Sequence, residues 1–426
     1  MNILVLNCGS SSIKFQFINS DKKEVLAKGI VERIGEESSL FSFISEKIEK
    51  RKQKIIVENH TQGIKLISDN LMDSRCGVIQ SKDDIDAVGH RLVHGGEEFS
   101  GSVRITGRVI DKMRECIKLA PLHNPHNIKG VEASQKILPG VPQCGVFDTA
   151  FHQTMPKKAF LYALPLEYYT KHKIRRYGFH GTSHYYVAKE AARYVGKSLD
   201  ELRIVTCHLG NGASITAIDK GKSVDTSMGF TPLEGLVMGT RCGDLDPAIP
   251  LYMIETLGMT RQEVNDVLNK KSGMLGLSEI SNDMRVIEEE IEKKNQKASD
   301  ALEIYVYRLK KYIGAYYAVM DGIDIIVFTG GIGENMPILR EMVCNDLTSL
   351  GILFDKEKNY IKEDGILDFS DEDSKVKLLK IPTNEELMIA METEAILKKS
   401  EIQNPKQFQS LNVQNYKKNT TKNFRK

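Results

Sequence analysis

The stretch ILVLNCGSSSIKFQF, Ile3 to Phe17, decides the fold once it is laid beside IVTCHLGNGASITAI, Ile204 to Ile218. Each reads as a strand, a glycine-bearing turn and a second strand, and in the first the segment IKFQFI alternates apolar with polar residues. Sliding the second stretch back by 201 positions puts Gly210 on Gly9, a short and imperfect internal repeat. Two glycine hairpins can resemble each other by chance. The spacing nevertheless matches a division of the chain into two like halves, and so a duplicated α/β domain with a phosphate-facing turn in each half. Ile215 falls on Lys14 under this alignment, so only the first turn is expected to bring a lysine to a phosphate.

Outward from the repeat, segments around Ala87–His90 and Pro142–Asp148 read as further strands. Val109–Ala120 and Ile128–Leu138 carry apolar residues at the three- and four-residue spacing of helices. Residues 300–320 form a strongly periodic helix, and IDIIVFTGGIGEN, residues 323–335, is an apolar strand running into a glycine-rich turn, with a helix expected from about Pro337. Strands interleaved with helices favour an α/β sheet protein with ligands at the strand ends.

The chain has 426 residues, which suggests two or three domains, and its 41% apolar and 27% charged content is that of a globular protein. The net charge is +2, but residues 401–426 alone carry +5 (six Lys or Arg against Glu401), leaving −3 on the rest. The slightly acidic body argues against nucleic-acid binding. Residues 400–426, rich in Asn, Gln and Lys, read as a disordered basic tail whose removal should leave turnover nearly intact. The seven cysteines are scattered, with no C-x-x-C and no zinc-like cluster, as expected of reduced thiols in a cytoplasmic protein. No secretory leader and no apolar run long enough for a membrane span is read.

NCGSSSIK, residues 7–14, is not a Walker A loop, because it lacks G-x-x-x-x-G-K-[ST] and a following helix. Small residues still let backbone N–H groups approach phosphate oxygens, with three serine hydroxyls and Lys14 in support. A plain polar hairpin is the alternative, weakened by the companion turns HLGNG and GGIGEN. Charged residues at strand ends come next. Arg91 in GHRLVHGG and Arg241 in MGTRCGD could be surface ion-pair partners, Asp148 in FDTAFH a helix N-cap, His180 in YGFHGTSH structural, and Glu385 in PTNEEL a first-turn carboxylate answering the helix dipole. Spacing alone does not show that these five meet.

Those segments, with NCGSSSIKF, occur in the order and at the separations of one family, and over residues 1 to about 398 the chain resembles the acetate kinases. The resemblance implies duplicated ribonuclease H-like (actin-like ATPase) domains with mixed five-stranded sheets and an interdomain cleft. An N-terminal acyl-kinase domain would span residues 1–150, completed by the helix 384–398, and a nucleotide-binding domain 151–383. It implies reversible, Mg-dependent, in-line phosphoryl transfer from ATP to acetate, giving ADP and acetyl phosphate, in a homodimer, with Mn²⁺ able to replace Mg²⁺. Residue by residue, Asn7 and Glu385 would hold the metal and Lys14 would contact ATP. His208, Leu209, Gly210, Asn211 and Gly212 would line the phosphates. Asp283, Met284 and Arg285 of SNDMR, with Gly331, Ile332, Gly333, Glu334 and Asn335, would hold the adenosine side. Arg91 would bind the substrate carboxylate, Asp148 would be the active-site acid, and His180 and Arg241 would stabilise the transition state. Val93, Leu122, Phe179 and Pro232 stand where the family has a small apolar pocket for the methyl group. A propionate or butyrate kinase is the nearest rival, and an actin-like or chaperone ATPase a more distant one.

Overall fold

The computed structural model describes residues 1–403, the side chains of 400–403 excepted. Two compact units emerge. The first comprises residues 1–93 and 101–147 with the chain from Glu386 on, and the second comprises 94–100 and 148–385. The final helix, Glu385–Gln403, runs beyond the expected 398. The expectation of a disordered tail falls, from residue 404 on, outside the described residues.

In the first unit, β1 (Asn2–Cys8), β2 (Ser12–Asn19), β3 (Glu24–Glu32), β4 (Ser39–Ser45), β5 (Glu49–Ile55), β6 (Ala87–Leu92), β7 (Val103–Arg104) and β8 (Gln143–Phe147) form one sheet in the order β5-β4-β3-β2-β1-β6-β8-β7. In the second, β9 (Arg203–Leu209), β10 (Ala213–Asp219), β11 (Lys222–Thr226), β12 (Ile325–Thr329), β13 (Leu367–Asp368) and β14 (Lys377–Lys380) form another, in the order β11-β10-β9-β12-β14-β13. The sheets therefore hold eight and six strands, not five. Five in each share one plan: an antiparallel meander, β3-β2-β1 or β11-β10-β9, continued by two parallel strands, β6-β8 or β12-β14. The additions sit at the sheet edges, where β5, EKRKQKI, is almost wholly exposed and charged, a composition that discourages further pairing.

The repeat survives in space with one change. β1 and β9 are offset by the expected 201 positions, but Cys8 pairs with Ile13 whereas Leu209 pairs with Ala213. The second turn is one residue shorter. Lys14 stands opposite Asn7, while the residue opposite His208 is Ser214, so Ser214 and not Ile215 takes the place of Lys14. Because side chains alternate along a strand, that slip turns the Ile215 side chain to the other face, where it is fully buried.

The helix Gln296–Met320 supports the second sheet. Asn295 caps its start by accepting from the Lys297 N–H, and Leu302, Tyr305, Leu309, Ile313 and Tyr316 bury one stripe. The helix Glu385–Gln403 belongs with the first unit: a Cβ added at Gly89 on β6 would lie 2.6 Å from Thr393 Oγ1 and 2.8 Å from Ile389 Cγ2. Only a bare backbone lets strand and helix approach so closely.

Candidate active site

In the first unit the antiparallel register sets Asn7 and Lys14 side by side on one face of the hairpin. Lys14 Nζ lies 2.6 Å from Glu386 Oε1. The sequence reading missed Glu386, whose neighbour Glu385 drew the attention. Arg91 lies on β6 opposite Val146 of β8. The helix Asn124–Ile137 ties two strand ends together through Asn127, which donates from Nδ2 to the Cys8 carbonyl at 2.9 Å and accepts at Oδ1 from the Val93 N–H at 3.0 Å.

The second unit gathers the three expected catalytic residues. Asp148 is buried, and its carbonyl accepts from the Gly181 N–H at 2.9 Å. It caps no helix: the short turn that follows begins after Ala150. His180 precedes the helix Gly181–Tyr194 in a left-handed conformation, φ 57°. A Cβ on Gly212 would sit 3.5 Å from both His180 Cε1 and an Arg241 guanidinium nitrogen, so imidazole and guanidinium flank the bare turn.

Hydrogen bonds fix the His180 ring. Its Nδ1 is 2.9 Å from Ser214 Oγ, which is 2.7 Å from His184 Nε2, and His184 Nδ1 is 2.7 Å from Thr206 Oγ1. Burial holds His184 well below the ordinary histidine range, so it is neutral. Ser214 has one proton and can donate to only one of the two rings. For a neutral His180 to present Nε2–H toward Gly212, Ser214 donates to Nδ1 and His184 donates from Nε2. His208, 4.3 Å from His180 between ring centroids, is held in turn by Ser183 Oγ at 2.8 Å.

Arg241 rides on an irregular segment with no periodic pattern, and polar side chains hold that segment in place. The Arg176 guanidinium donates to the carbonyls of Thr226, Ser227 and Met228 and pairs with Glu234. Asp244 accepts from the Gly235 N–H and from the Tyr312 hydroxyl, both at 2.8 Å, and pairs with Arg308 at 3.1 Å. Arg241 itself donates to the Pro232 carbonyl at 3.0 Å.

Within the same unit a pocket of about 550 Å³ is lined by eight expected residues: Gly210, Asn211, Asp283, Met284, Arg285, Gly331, Ile332 and Asn335. Asn282, Glu288 and Met336 complete it and were not foreseen, although Asn282 lies inside SNDMR. Asn282 Nδ2 donates to Asn211 Oδ1 at 3.0 Å. Arg285 donates twice to the Asp283 carboxylate, whose acidity it holds near a pKa of about 2. The GGIGEN turn is a short helix, Gly330–Asn335, with Pro337–Cys344 following it directly. Glu334 braces it, accepting from the N–H groups of Gly330 and Thr383. His208, Leu209, Gly212, Gly333 and Glu334 do not line this pocket. Leu209 is fully buried, and Gly333 packs toward Phe328.

Of the four apolar candidates, Val93 and Leu122 belong to the first unit and Phe179 and Pro232 to the second. Leu122 is 74% exposed, whereas Phe179 is buried. Glu385 Oε1 is buried without a hydrogen-bond partner, an orphaned acceptor of the kind a hard cation satisfies. Among the described residues no three His, Cys, Asp or Glu side chains cluster as a metal cage. A single carboxylate suits Mg²⁺, which keeps waters and substrate phosphates in its shell.

Comparison with known proteins shows the family. The profile of the Acetokinase family matches residues 2–391. An acetate kinase of Coprothermobacter proteolyticus is 57% identical over 401 residues, 93% of this chain and 99% of its own. The crystal structure of Porphyromonas gingivalis acetate kinase superposes with a TM-score of 0.90 at 50% identity, covering 93% of this chain and 99% of its own. A propionate kinase from Francisella tularensis superposes at 0.86 with 42% identity and the same coverage. With a family match along nearly its full length and relatives above half identity, the chain belongs to the acetokinase family and has its actin-like two-domain α/β fold.

Proposed function

We propose that the protein transfers the γ-phosphoryl group of ATP to acetate, reversibly, giving acetyl phosphate and ADP. The observation that supports this best is the bare Gly212 turn flanked by His180 and Arg241, with Gly210 and Asn211 of the same turn lining the nucleotide-sized pocket. A phosphoryl group at that turn would have an imidazole donor on one side, a guanidinium on the other and no side chain in its way. The propionate reading is not favoured, because relatives at 54% and 57% identity are acetate kinases, whereas the propionate kinase structure stands at 42%.

Acetate is ionised at neutral pH and needs no general base, so Asp148 serves as an aligner and not as a proton acceptor. Arg91 binds the carboxylate through its planar fork. His180 and Arg241 oppose the charge that gathers on the equatorial oxygens. Lys14 leaves Glu386 for the nucleotide, and Asp283, Arg285 and the Gly331–Asn335 segment hold the adenosine side. Val93, Leu122, Phe179 and Pro232 surround the methyl group. Mg²⁺, with Asn7 and Glu385 as its protein ligands, neutralises phosphate charge when bound. In this reading the first unit is the acyl-kinase domain and the second the nucleotide-binding domain.

A homodimer is part of the same proposal. The helix Ala248–Glu255 and the turn after it leave Ile249, Leu251, Tyr252 and Leu257 about half exposed, an apolar face that none of the described residues covers. All seven cysteines are free, in keeping with a cytoplasmic location, and no described helix is long and apolar enough to cross a membrane. The deciding experiment is hydroxamate trapping of acetyl phosphate by the purified full chain with ATP and acetate, with and without Mg²⁺. Acetate- and Mg²⁺-dependent product is expected. ATP turnover indifferent to acetate would reject the proposal.

A further inference from the structure

A second cavity, of about 460 Å³, lies wholly within the first unit between the start of the helix His60–Met72 and one side of the helix Asn124–Ile137, with Ser10 of the NCGSSSIK turn in its wall. Its size is that of a small-ligand site. Two carboxylates border it, and both are engaged elsewhere: Glu58 accepts from Gln62 Nε2 at 2.9 Å and Glu132 from Arg114 at 2.7 Å. The cations are not. Within the described residues neither Lys129 nor Lys136 makes a hydrogen bond or ion pair, and they stand seven residues, two helical turns or roughly 10 Å, apart on one face. His126 lies one turn before Lys129, and its ring stacks 6.4 Å from that of His60 across the cavity. The lining balances two lysines against two carboxylates, but Glu132 shares its charge with Arg114, so the cavity offers two ammonium groups at separated points, with the His126 ring beside them.

The cavity is wired to the phosphate turn. His60 Nε2 lies 2.7 Å from the Gly9 carbonyl, and since a carbonyl only accepts, His60 donates. On the other wall Asn127, next to His126, bonds the Cys8 carbonyl and the Val93 N–H. A ligand that draws His60 toward itself thus bears on Gly9 directly, and one that shifts the helix at His126 bears on Cys8 through Asn127.

We propose that this cavity is a regulatory site for a small metabolite with two anionic groups, a phosphorylated carboxylate or a bisphosphate, and that its occupation alters the grip of the NCGSSSIK turn on the nucleotide. The regulatory half rests on the kinase reading; the binding half does not. The test is isothermal titration of 3-phosphoglycerate into the full chain saturated with ADP and Mg²⁺, so that the nucleotide pocket is occupied, with inorganic phosphate as the single-anion control. One site per chain is expected, with phosphate at least about tenfold weaker because it reaches one lysine only. The exposed pair Lys129→Glu and Lys136→Glu should weaken 3-phosphoglycerate by about tenfold or more while leaving kcat without effector within about twofold. In kinetics, 3-phosphoglycerate should shift the KM for ATP in the natural protein and not in the double variant. Absence of binding, or binding that survives the double variant, overturns the site. Binding with an unmoved KM overturns the regulation. Loss of acetyl phosphate formation would touch the kinase reading and leave the titration intact.

Discussion

Replacing Arg241 with Ala should lower kcat by about a hundredfold, the usual cost of losing one charge-stabilising donor, with little change in melting temperature because the side chain donates to just one carbonyl, that of Pro232. Steady-state rates and a thermal melt together check this. Arg91→Ala should instead raise the KM for acetate far more than that for ATP, and equal increases would remove its assignment to the carboxylate. Buried histidines supply a pH dependence of stability. Burial lowers His152 and His90 to about 4, against about 6.5 in the unfolded chain, and pushes His184 well down in the same direction. The unfolded state therefore binds more protons between those values, and stability is full above pH 6.5 and lost as pH falls toward 4. The His152 share alone is on the order of 3 kcal/mol. Melting temperature followed from about pH 7 to about pH 4.5 should fall, and a flat profile would contradict the buried neutral rings. At this scale the sequence exposed residue types but not partners. Ser214, sandwiched between two imidazoles, looks like any strand serine until the one-residue slip in its turn is known.

Among the elements, those built on period were legible. β1, β2, β9, β10 and β12 declare themselves by apolar runs or alternation, and the helix Gln296–Met320 by its stripe. What escaped had no pattern to show. β5 is charged along its length because it is an edge, and residues 227–244 follow a course dictated by Arg176, Glu234, Asp244 and Tyr312, two of which come from distant parts of the chain. GGIGEN reads as a loop because its three glycines are poor helix formers, yet Glu334 secures a helical turn there by accepting from the Gly330 N–H at its start and from the Thr383 N–H of a distant segment. The Gly89 contact gives a prediction at this level. Gly89→Val would press on Thr393 and Ile389 and should cost about 1–3 kcal/mol of stability in a denaturant titration. It should also weaken Mg²⁺-dependent activity, since the helix it displaces carries Glu385 and Glu386.

For the whole molecule, the number and kind of units followed from a repeat 201 positions apart, whereas the return of the last helix to the first unit could not be read from local pattern. Substrate preference is also a property at this level. Acetate should outperform propionate by about 10- to 200-fold in kcat/KM, the discrimination available for one methylene, and butyrate should be poorer still. Equal rates with butyrate would reject the methyl pocket. The helix Glu385–Gln403 has a temporal consequence as well. A ribosome delivers Gly89 and its strand early but Ile389 and Thr393 some 300 residues later, about 15–60 s at ordinary synthesis rates. During that interval the first unit waits with one face of its sheet uncovered while the second is made, so the half of the protein that is born first is the half that finishes last.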